Sequence, residues 1–316
     1  MRAPALATPA TALAVAVALA ACGSVGTTPT PDRVPSADAS ADAPVGAEDG
    51  GGDGAASDCP EFDKAEALGT VTAAALREVS GLVASARHPD VLFAHNDSGD
   101  AARLFALRRD GTLAATIAVD GADANDWEAI AHGPAAGGPG LYIGDIGDNP
   151  QARATVTVYV VPEPDLTATS VKVERRVDLR YEDGPHDAEA LLVDPADGTI
   201  AVVTKAVGSA AVYVADGDVL RKRGPVSFGA AAGLRLITDA SVSRGGDRIL
   251  LRTYGSAHLY RRKAGEPLHA ALLSAPCSVP FANEPQGEAI AFAADGRGYY
   301  TLSENAGQPL YFFRAR

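Results

Sequence analysis

The sequence predicts an all-β protein with the architecture of a closed β-propeller, and three observations lead to that prediction. From about Leu68 onward, short alternating or apolar runs such as "VLFAH", "LYIGD", "AVVTK" and "LYFFR" are separated by turn residues, as expected for strands. One phrase, an acid directly before an apolar run, recurs at intervals of about fifty residues. The pattern contains no convincing long amphipathic helix. A fixed period of this length in a strand-rich chain is typical of propeller blades.

The recurring phrase aligns with itself five times. "DWEAIAHGP", "DAEALLVDPADG" and "QGEAIAFAADG" place Glu128, Glu189 and Glu288 at one position. "TDASVS" supplies Asp239 as a fourth member, and "EVSGLVAS" supplies Ser80. The successive spacings of 48, 61, 50 and 49 residues count five blades. Six blades are the alternative, because the longest interval and the weak fourth strands leave room for a different count.

The two ends of the chain are expected to share one blade. The last unit ends at Arg316 after three strands, whereas "EALGTVTAAALR", near residues 65 to 76, is one strand left over at the beginning. An N-terminal strand that completes the last blade would close the ring and remove exposed sheet edges. In that ring the phrase forms the innermost strand of each blade, because its small residues suit a crowded axis.

The first 58 residues are expected to lie outside the fold. After Arg2, the apolar run "ALAVAVALAAC" is too short for a permanent membrane-spanning helix and indicates a signal peptide over residues 1–21. Its end, "LAAC", resembles the lipobox of bacterial lipoproteins, which implies lipidation of Cys22 and anchoring at the outer surface of the cell membrane. The alternative is an ordinary signal peptide with an incidental cysteine. Residues 22–58 lack large apolar side chains and are predicted to be a disordered tether.

Composition and cysteine usage constrain the remaining domain, residues 59–316. The net charge of the full chain, -13, argues against nucleic acid as a partner, because binding to phosphates requires a basic surface. An exported protein occupies a compartment where disulfides persist. We therefore predict a disulfide between Cys59 and Cys277, with two free thiols as the alternative. We expect a monomer.

The acids of the phrase are predicted to lie at one mouth of the central channel. The second strand of each unit ends at the same face, and these ends carry most of the unusual polar residues: His95, Asn96, Asp97, Asp100, Asp145, Asp148, Asn149, Lys205, Arg252, Glu304 and Asn305. We predict a ligand-binding face that comprises His95, Asn96, Asp97, Asp145, Asp148, Asn149, Asp239 and Glu304.

Carboxylates that converge on one axis have to be protonated, hydrogen-bonded or neutralised by a cation. Three interpretations stay open. Each acid can accept backbone N–H bonds from the neighbouring blade. Alternatively, Glu128, Glu189 and Glu288 can hold a hard cation, with Ca²⁺ as the best match for oxygen ligands. As the third interpretation, two or three of these carboxylates can be the acid and base of a hydrolase, in which Lys205, Arg252 or His95 orients an anionic group.

The segment "DGADANDWEAIA" concentrates groups that ligate metals, namely Asp120, Asp123, Asn125, Asp126 and Glu128. It lacks the glycine and the spacing of an EF-hand loop, and a solvated acidic connection is the alternative. The chain has no G-x-S-x-G, H-E-x-x-H, Cys-x-x-Cys, P-loop or G-x-G-x-x-G motif. The sequence therefore gives no support for a hydrolase with a serine nucleophile elbow, a zinc metalloprotease or a nucleotide-binding enzyme.

Taken together, the motifs "NDSGD", "GDIGDN", "DAEALL", "TDASVS" and "QGEAIAF" resemble those of a largely uncharacterised family of secreted bacterial β-propeller proteins, over roughly residues 76 to 316. More distantly, the chain is similar to phytase-like and gluconolactonase-like propellers, in which inner-strand acids bind a divalent metal. The resemblance implies a propeller and a metal, but no substrate. The chain departs from a full ring of glutamates at Ser80 and Asp239.

Two classes of function follow. The first is a lipid-anchored extracytoplasmic module whose acidic face binds a cation, a glycan or a protein. The second is a metal-assisted hydrolase of a phosphoester, lactone or sugar ester, with Glu128, Glu189, Glu288, Lys205 and Arg252 as the candidate catalytic residues.

Overall fold

The computed structural model describes residues 59–229 and 236–316. Strands dominate these residues, and the one helix among them, α1 (Leu268–Ala271), has four residues, so the prediction of an all-β fold is confirmed. No described helix is long and apolar enough to span a membrane. The signal segment, Cys22 and the tether lie outside the described residues and stay predictions.

The first sheet is an antiparallel meander of four strands with one added strand. It contains β2 (Val79–Ala84), β3 (Val91–Asn96), β4 (Arg103–Arg108) and β5 (Leu113–Asp120), which pair in chain order. A short strand from a later connection, β9 (Ser170–Lys172), pairs in parallel with β5. This added strand covers the outer edge of the meander, which would otherwise expose unpaired backbone groups.

The second sheet has eight strands and consists of two meanders that meet at their outer edges. One meander contains β6 (Trp127–Ala135), β7 (Gly138–Asp145), β8 (Val156–Pro162) and β10 (Arg175–Tyr181), and the other contains β11 (Ala188–Val193), β12 (Ile200–Thr204), β13 (Ala211–Asp216) and β14 (Val219–Pro225). The parallel contact between β10 and β14 joins them through only two residue pairs. Each meander therefore keeps the four-strand organisation that the repeat predicts.

The last two sheets have four strands each. One contains β15 (Ile237–Val242), β16 (Arg248–Thr253), β17 (Ser256–Arg261) and β18 (Cys277–Val279), and the other contains β19 (Gly287–Phe292), β20 (Gly298–Ser303), β21 (Pro309–Arg314) and the N-terminal β1 (Glu66–Thr70). The antiparallel pairing of β1 with β21 confirms that an N-terminal strand completes the last sheet. The predicted disulfide between Cys59 and Cys277 is also confirmed.

The strands that contain the recurring phrase form a ring. Among β2, β6, β11, β15 and β19, each packs against the next in this order, and β19 packs against β2. Five apolar clusters fill the spaces between consecutive meanders. The fold is therefore propeller-like, with its inner strands around one axis and its cores between the sheets.

Two side chains bridge the ring at the ends of the inner strands. His132 of β6 hydrogen-bonds through Nε2 to the carbonyl oxygen of Val242 in β15, at 3.0 Å, although these strands are not neighbours in the ring. Arg244, two residues after Val242, donates to the carbonyl oxygen of Ala84 in β2 at 2.7 Å. Burial, reinforced by the charge of Arg244, lowers the pKa of His132 to about 4, so this bridge is neutral at pH 7. The polar residues at the starts of the inner strands thus lie at the opposite end from these bridges.

Candidate functional site

A β-bulge occurs near the start of every inner strand. The pairing with the second strand skips one residue in each case: Ser80 in β2, Glu128 in β6, Glu189 in β11, Thr238 in β15 and Glu288 in β19. A bulge leaves the extra residue out of the hydrogen-bond ladder and redirects its side chain. The three glutamates therefore leave their sheets at equivalent points of the ring.

Asp239 does not belong to this set, so the alignment of the fourth unit was wrong by one residue. The bulged residue is Thr238, and Asp239 lies opposite Arg252 in the regular ladder. Asp239 is fully buried, and its carboxyl oxygens accept the backbone N–H groups of Ile290 at 2.8 Å and of Ala240 at 2.7 Å. Asp239 joins β15 to β19 and is not part of a ligand-binding face.

Two further positions recur at the same end of the ring. The residue directly after the second strand is Asp97, Ile146, Lys205, Tyr254 or Glu304, and the residue directly before the inner strand is Glu78, Asp126, Asp187, Leu236 or Gln286. We call the ionisable residues Asp97, Asp126, Glu128, Asp187, Glu189, Lys205, Glu288 and Glu304 the acidic mouth. Sequence reasoning missed Tyr254, although its position after β16 matches that of Lys205 after β12.

Three carboxylates of the acidic mouth converge. Asp97, Asp126 and Glu128 each offer an oxygen, and these oxygens lie within 4.8 Å of one another. Glu128 is buried and accepts a hydrogen bond from the hydroxyl of Ser80 at 2.7 Å. Gly147 packs so closely on Asp126 and Glu128 that a Cβ there would collide with both carboxylates. Gly147, the second glycine of "GDIGDN", therefore allows the backbone to pass close to this cluster.

The electrostatics of the cluster favour a proton or a cation. Burial, and then the charge of Asp97, raises the pKa of Asp126 to about 7. Burial, and then the charges of Glu189 and Asp97, raises the pKa of Glu128 well above its ordinary value. Both shifts arise because carboxylates close together in a poorly solvated place cannot all ionise without compensation.

The acidic mouth also contains an ion pair. Lys205 donates from Nζ to Glu189 Oε1 at 2.6 Å and to the hydroxyl of Tyr254 at 3.2 Å. Burial lowers the pKa of Lys205, but the carboxylate of Glu189 outweighs burial, so the net shift is upward. Glu288, 4% exposed, accepts a hydrogen bond from Gln286 at 3.2 Å through Oε1, while its buried Oε2 has no hydrogen-bond partner among the described residues. The sequence-predicted trio Glu128, Glu189 and Glu288 thus shares the acidic mouth, but Glu189 already has a partner.

Two more acids complete the acidic mouth. Burial, and then the charges of Glu288 and Asp97, raises the pKa of Glu304 to about 7. Burial also raises the pKa of Asp187, which accepts the backbone N–H of Asp148 at 2.9 Å. The charges of Glu288 and Asp97, from two different sheets, therefore both act on Glu304.

Arg252 and His95 are buried. Arg252 is 1% exposed, forms an ion pair with Glu284 and donates to the carbonyl oxygen of Ala289 at 3.3 Å. His95 is fully buried, with its ring edge-on to Trp127 at 5.6 Å between centroids. Their role in orienting an anionic group stays a prediction.

Asn96, Asp145 and Asp148 have backbone or ion-pair partners. Asn96 Oδ1 accepts the backbone N–H groups of residues 77 and 78. Asp145 is fully buried and pairs with Arg153 at 2.8 Å, and Asp148 accepts the backbone N–H of the same arginine at 2.8 Å. These three predicted ligand-binding residues therefore shape the loops behind the acidic mouth, while Asn149 is exposed on the connection that follows.

Comparison with known proteins adds no assignment. No protein-family model matches the chain, and no curated protein matches it.

Proposed function

We propose that the domain is a five-bladed β-propeller whose acidic mouth binds a divalent cation, with Ca²⁺ as the ion that its donors suit best. The observation that carries the proposal is the convergence of Asp97, Asp126 and Glu128 within 4.8 Å. The cluster offers oxygen donors and no thiolate or imidazole, which is the donor set of hard cations. The cyclic packing of five inner strands supports the blade count.

The raised pKa values of Asp126 and Glu128 also support cation binding. The acidic mouth collects seven carboxyl side chains around one lysine, and that lysine is engaged by Glu189. A bound cation would neutralise Asp97, Asp126 and Glu128 without the need for protons. In the proposed setting the protein is exported, lipid-anchored through Cys22 and monomeric, so that the acidic mouth meets the ions outside the cell.

Thermal unfolding with Ca²⁺, with Mg²⁺ and with EDTA tests the proposal. A ligand that binds only the folded state stabilises it by about 2.7 kcal/mol at a hundred times its Kd. For a domain of this size we expect that Ca²⁺ raises the unfolding temperature by about 5–10 °C. Glu128→Gln and Asp126→Asn should abolish the rise, because each removes a charged ligand.

Asp120→Asn is the matched control, since Asp120 is an exposed acid on β5, outside the acidic mouth. This variant should keep the full response to Ca²⁺. The proposal fails if Glu128→Gln responds to Ca²⁺ like the wild type. It also fails if no ion has any effect while the variants are destabilised in every buffer, since the acids would then only hold the sheets together.

A metal-assisted hydrolase is the second candidate, and the arrangement of Lys205 and Tyr254 beside the carboxylate cluster favours it. The ammonium group of Lys205 and the phenol of Tyr254 could position an anionic substrate near a bound cation, and the cation would polarise that substrate. Calcium-dependent turnover of p-nitrophenyl phosphate or of a simple lactone would support this candidate. Lys205→Met should then lose turnover and keep the thermal response to Ca²⁺.

A further inference from the structure

A cavity of about 370 Å³ lies at the end of the ring opposite to the acidic mouth. It opens between the first sheet, at the end of β2 and the start of β3, and the last sheet, at the turn after β19 and the end of β21. Its lining includes Arg109, Arg297 and Arg314 around the aromatic rings of Tyr300 and Phe312. A volume of this order is enough for a small organic ligand.

The three guanidinium groups retain free hydrogen-bond donors. The nearest carboxylate to Arg109 is that of Asp90, at 3.9 Å, and the nearest to Arg297 is that of Asp295, at 4.0 Å. Both distances exceed that of a hydrogen bond. Arg314 forms no ion pair with any residue that the structure describes. The acids that share the cavity therefore leave the arginine N–H groups available.

Packing places two of these arginines on one aromatic ring. The guanidinium carbon of Arg109 lies 4.7 Å from the centre of Phe312, and that of Arg314 lies 5.9 Å from the same centre. Such stacking orients the planar guanidinium and leaves its edge free to donate. The cavity is therefore lined by two guanidinium groups that one aromatic ring holds in place.

We propose that this cavity binds a small molecule that carries an oxyanion, a phosphate or carboxylate group, through Arg109, Arg314 and Arg297. Arginine forms two parallel hydrogen bonds to either group, which a point charge such as lysine does not. The site is separate from the acidic mouth, so it does not depend on cation binding there.

Isothermal titration calorimetry of the purified protein with inorganic phosphate and with citrate tests this proposal. The protein is first stripped of cations with EDTA and then dialysed into metal-free buffer without the chelator, because EDTA is itself a polycarboxylate that would compete for the arginines. Sodium chloride at matched ionic strength is the reference. We expect saturable binding of at least one probe, weakened about tenfold or more by Arg109→Gln and by Arg314→Gln. The stronger probe tells whether phosphate or carboxylate is the preferred group.

Arg180→Gln is the matched control, because Arg180 is an exposed arginine on β10 that pairs with Asp218, away from the cavity. It should bind the probes like the wild type. Arg297→Gln covers the case in which the Arg109 and Arg314 variants do not fold, since the Arg297 side chain is 81% exposed, and we expect it to weaken binding about threefold. The absence of saturable binding to the wild type, or equal binding to all variants, would overturn the proposal.

Discussion

Relative to the β-bulge of its strand, Asp239 lies one residue later than Glu128 does. That shift makes Asp239 a structural acid, whereas Glu128 is a candidate cation ligand. Glu128 is the bulged residue of β6, so its carboxyl group leaves the ladder and meets Asp97 and Asp126. Asp239 follows the bulged residue of β15, so its carboxyl group turns into the protein and accepts a backbone N–H of β19. In a strand, a shift of one residue reverses the side of the sheet that a side chain faces.

At this residue scale we expect that Asp239→Ala lowers the free energy of unfolding by about 2–4 kcal/mol, because two buried backbone N–H groups lose their acceptor. The rise in unfolding temperature on addition of Ca²⁺ should persist in this variant. Urea unfolding and thermal scans with and without Ca²⁺ measure both quantities.

The opposite pattern, unchanged stability with loss of the Ca²⁺ response, would place Asp239 among the cation ligands. Glu128→Gln is the companion variant, and for it we expect loss of the Ca²⁺ response with little loss of stability in EDTA.

The element that closes the molecule is β1, the strand farthest in sequence from its partner. It pairs with β21, and the disulfide between Cys59 and Cys277 fixes the segment before it to β18 of the preceding sheet. Phe62 adds an isolated bridge to Ala315 and packs edge-on against Tyr299. The outer strand of the last sheet is thus fixed by its pairing with β21 and by the disulfide before it, which covers the edge of the sheet that β21 would otherwise expose.

At the scale of this element we expect that the double variant Cys59→Ser with Cys277→Ser lowers the free energy of unfolding by about 2–5 kcal/mol. The disulfide joins two cysteines that are 218 positions apart in sequence, and its removal raises the conformational entropy of the unfolded chain. Denaturant titration of the wild type, oxidised and reduced, provides the control.

The reduced wild type should match the double variant, and the double variant should not respond to the reductant. A loss below about 1 kcal/mol in both would show that the pairing of β1 with β21 and the bridge at Phe62 suffice for closure.

On the scale of the whole molecule, the acidic mouth exists only because the ring brings five separate chain segments to one axis. Its charges come from three recurring positions of the repeat, filled by ionisable residues in four of the five units. Burial, and then neighbouring charges, raises the pKa of Asp126, Glu128 and Glu304. For Glu304 the pKa rises from 4.5 to about 7 through burial and the charges of Glu288 and Asp97. The folded protein therefore holds this proton more tightly than the unfolded chain does.

The raised pKa of Glu304 determines the direction in which the stability of the protein changes with pH. A raised folded-state pKa contributes stability that is complete below about pH 4.5 and is lost as the pH rises through about 7. We therefore expect the unfolding temperature in EDTA to fall between pH 5 and pH 8.5, and to fall less in Glu304→Gln. Differential scanning calorimetry over this range measures both curves.

The lowered pKa of His132 makes stability rise with pH, opposite to the effect of Glu304. His132 is present in both the wild type and Glu304→Gln, so its contribution cancels when the two curves are compared. Parallel curves for the wild type and Glu304→Gln would contradict the prediction. Addition of Ca²⁺ at pH 8.5 should restore the stability that the metal-free protein loses, if the acidic mouth is the cation site.

Patterns along the chain predict the all-β class and the N-terminal strand of the last sheet, because these depend on local alternation, on turn residues and on a period near fifty. The disulfide prediction rests instead on cysteine usage in an exported protein. The sequence also located Glu128, Asp97 and Glu304, because these residues stand at fixed points of the repeat.

Which polar residues meet depends on contacts between strands and sheets that the sequence pattern does not reveal. The one-residue displacement of Asp239 depends on a bulge, and a bulge follows from strand pairing across the sheet, which sequence spacing does not encode. The enclosure of Arg252 with Glu284, and of His95 against Trp127, depends on packing between neighbouring sheets. The cavity around Arg109 and Arg314 likewise joins residues about two hundred positions apart, because the ring places the first and last sheets side by side.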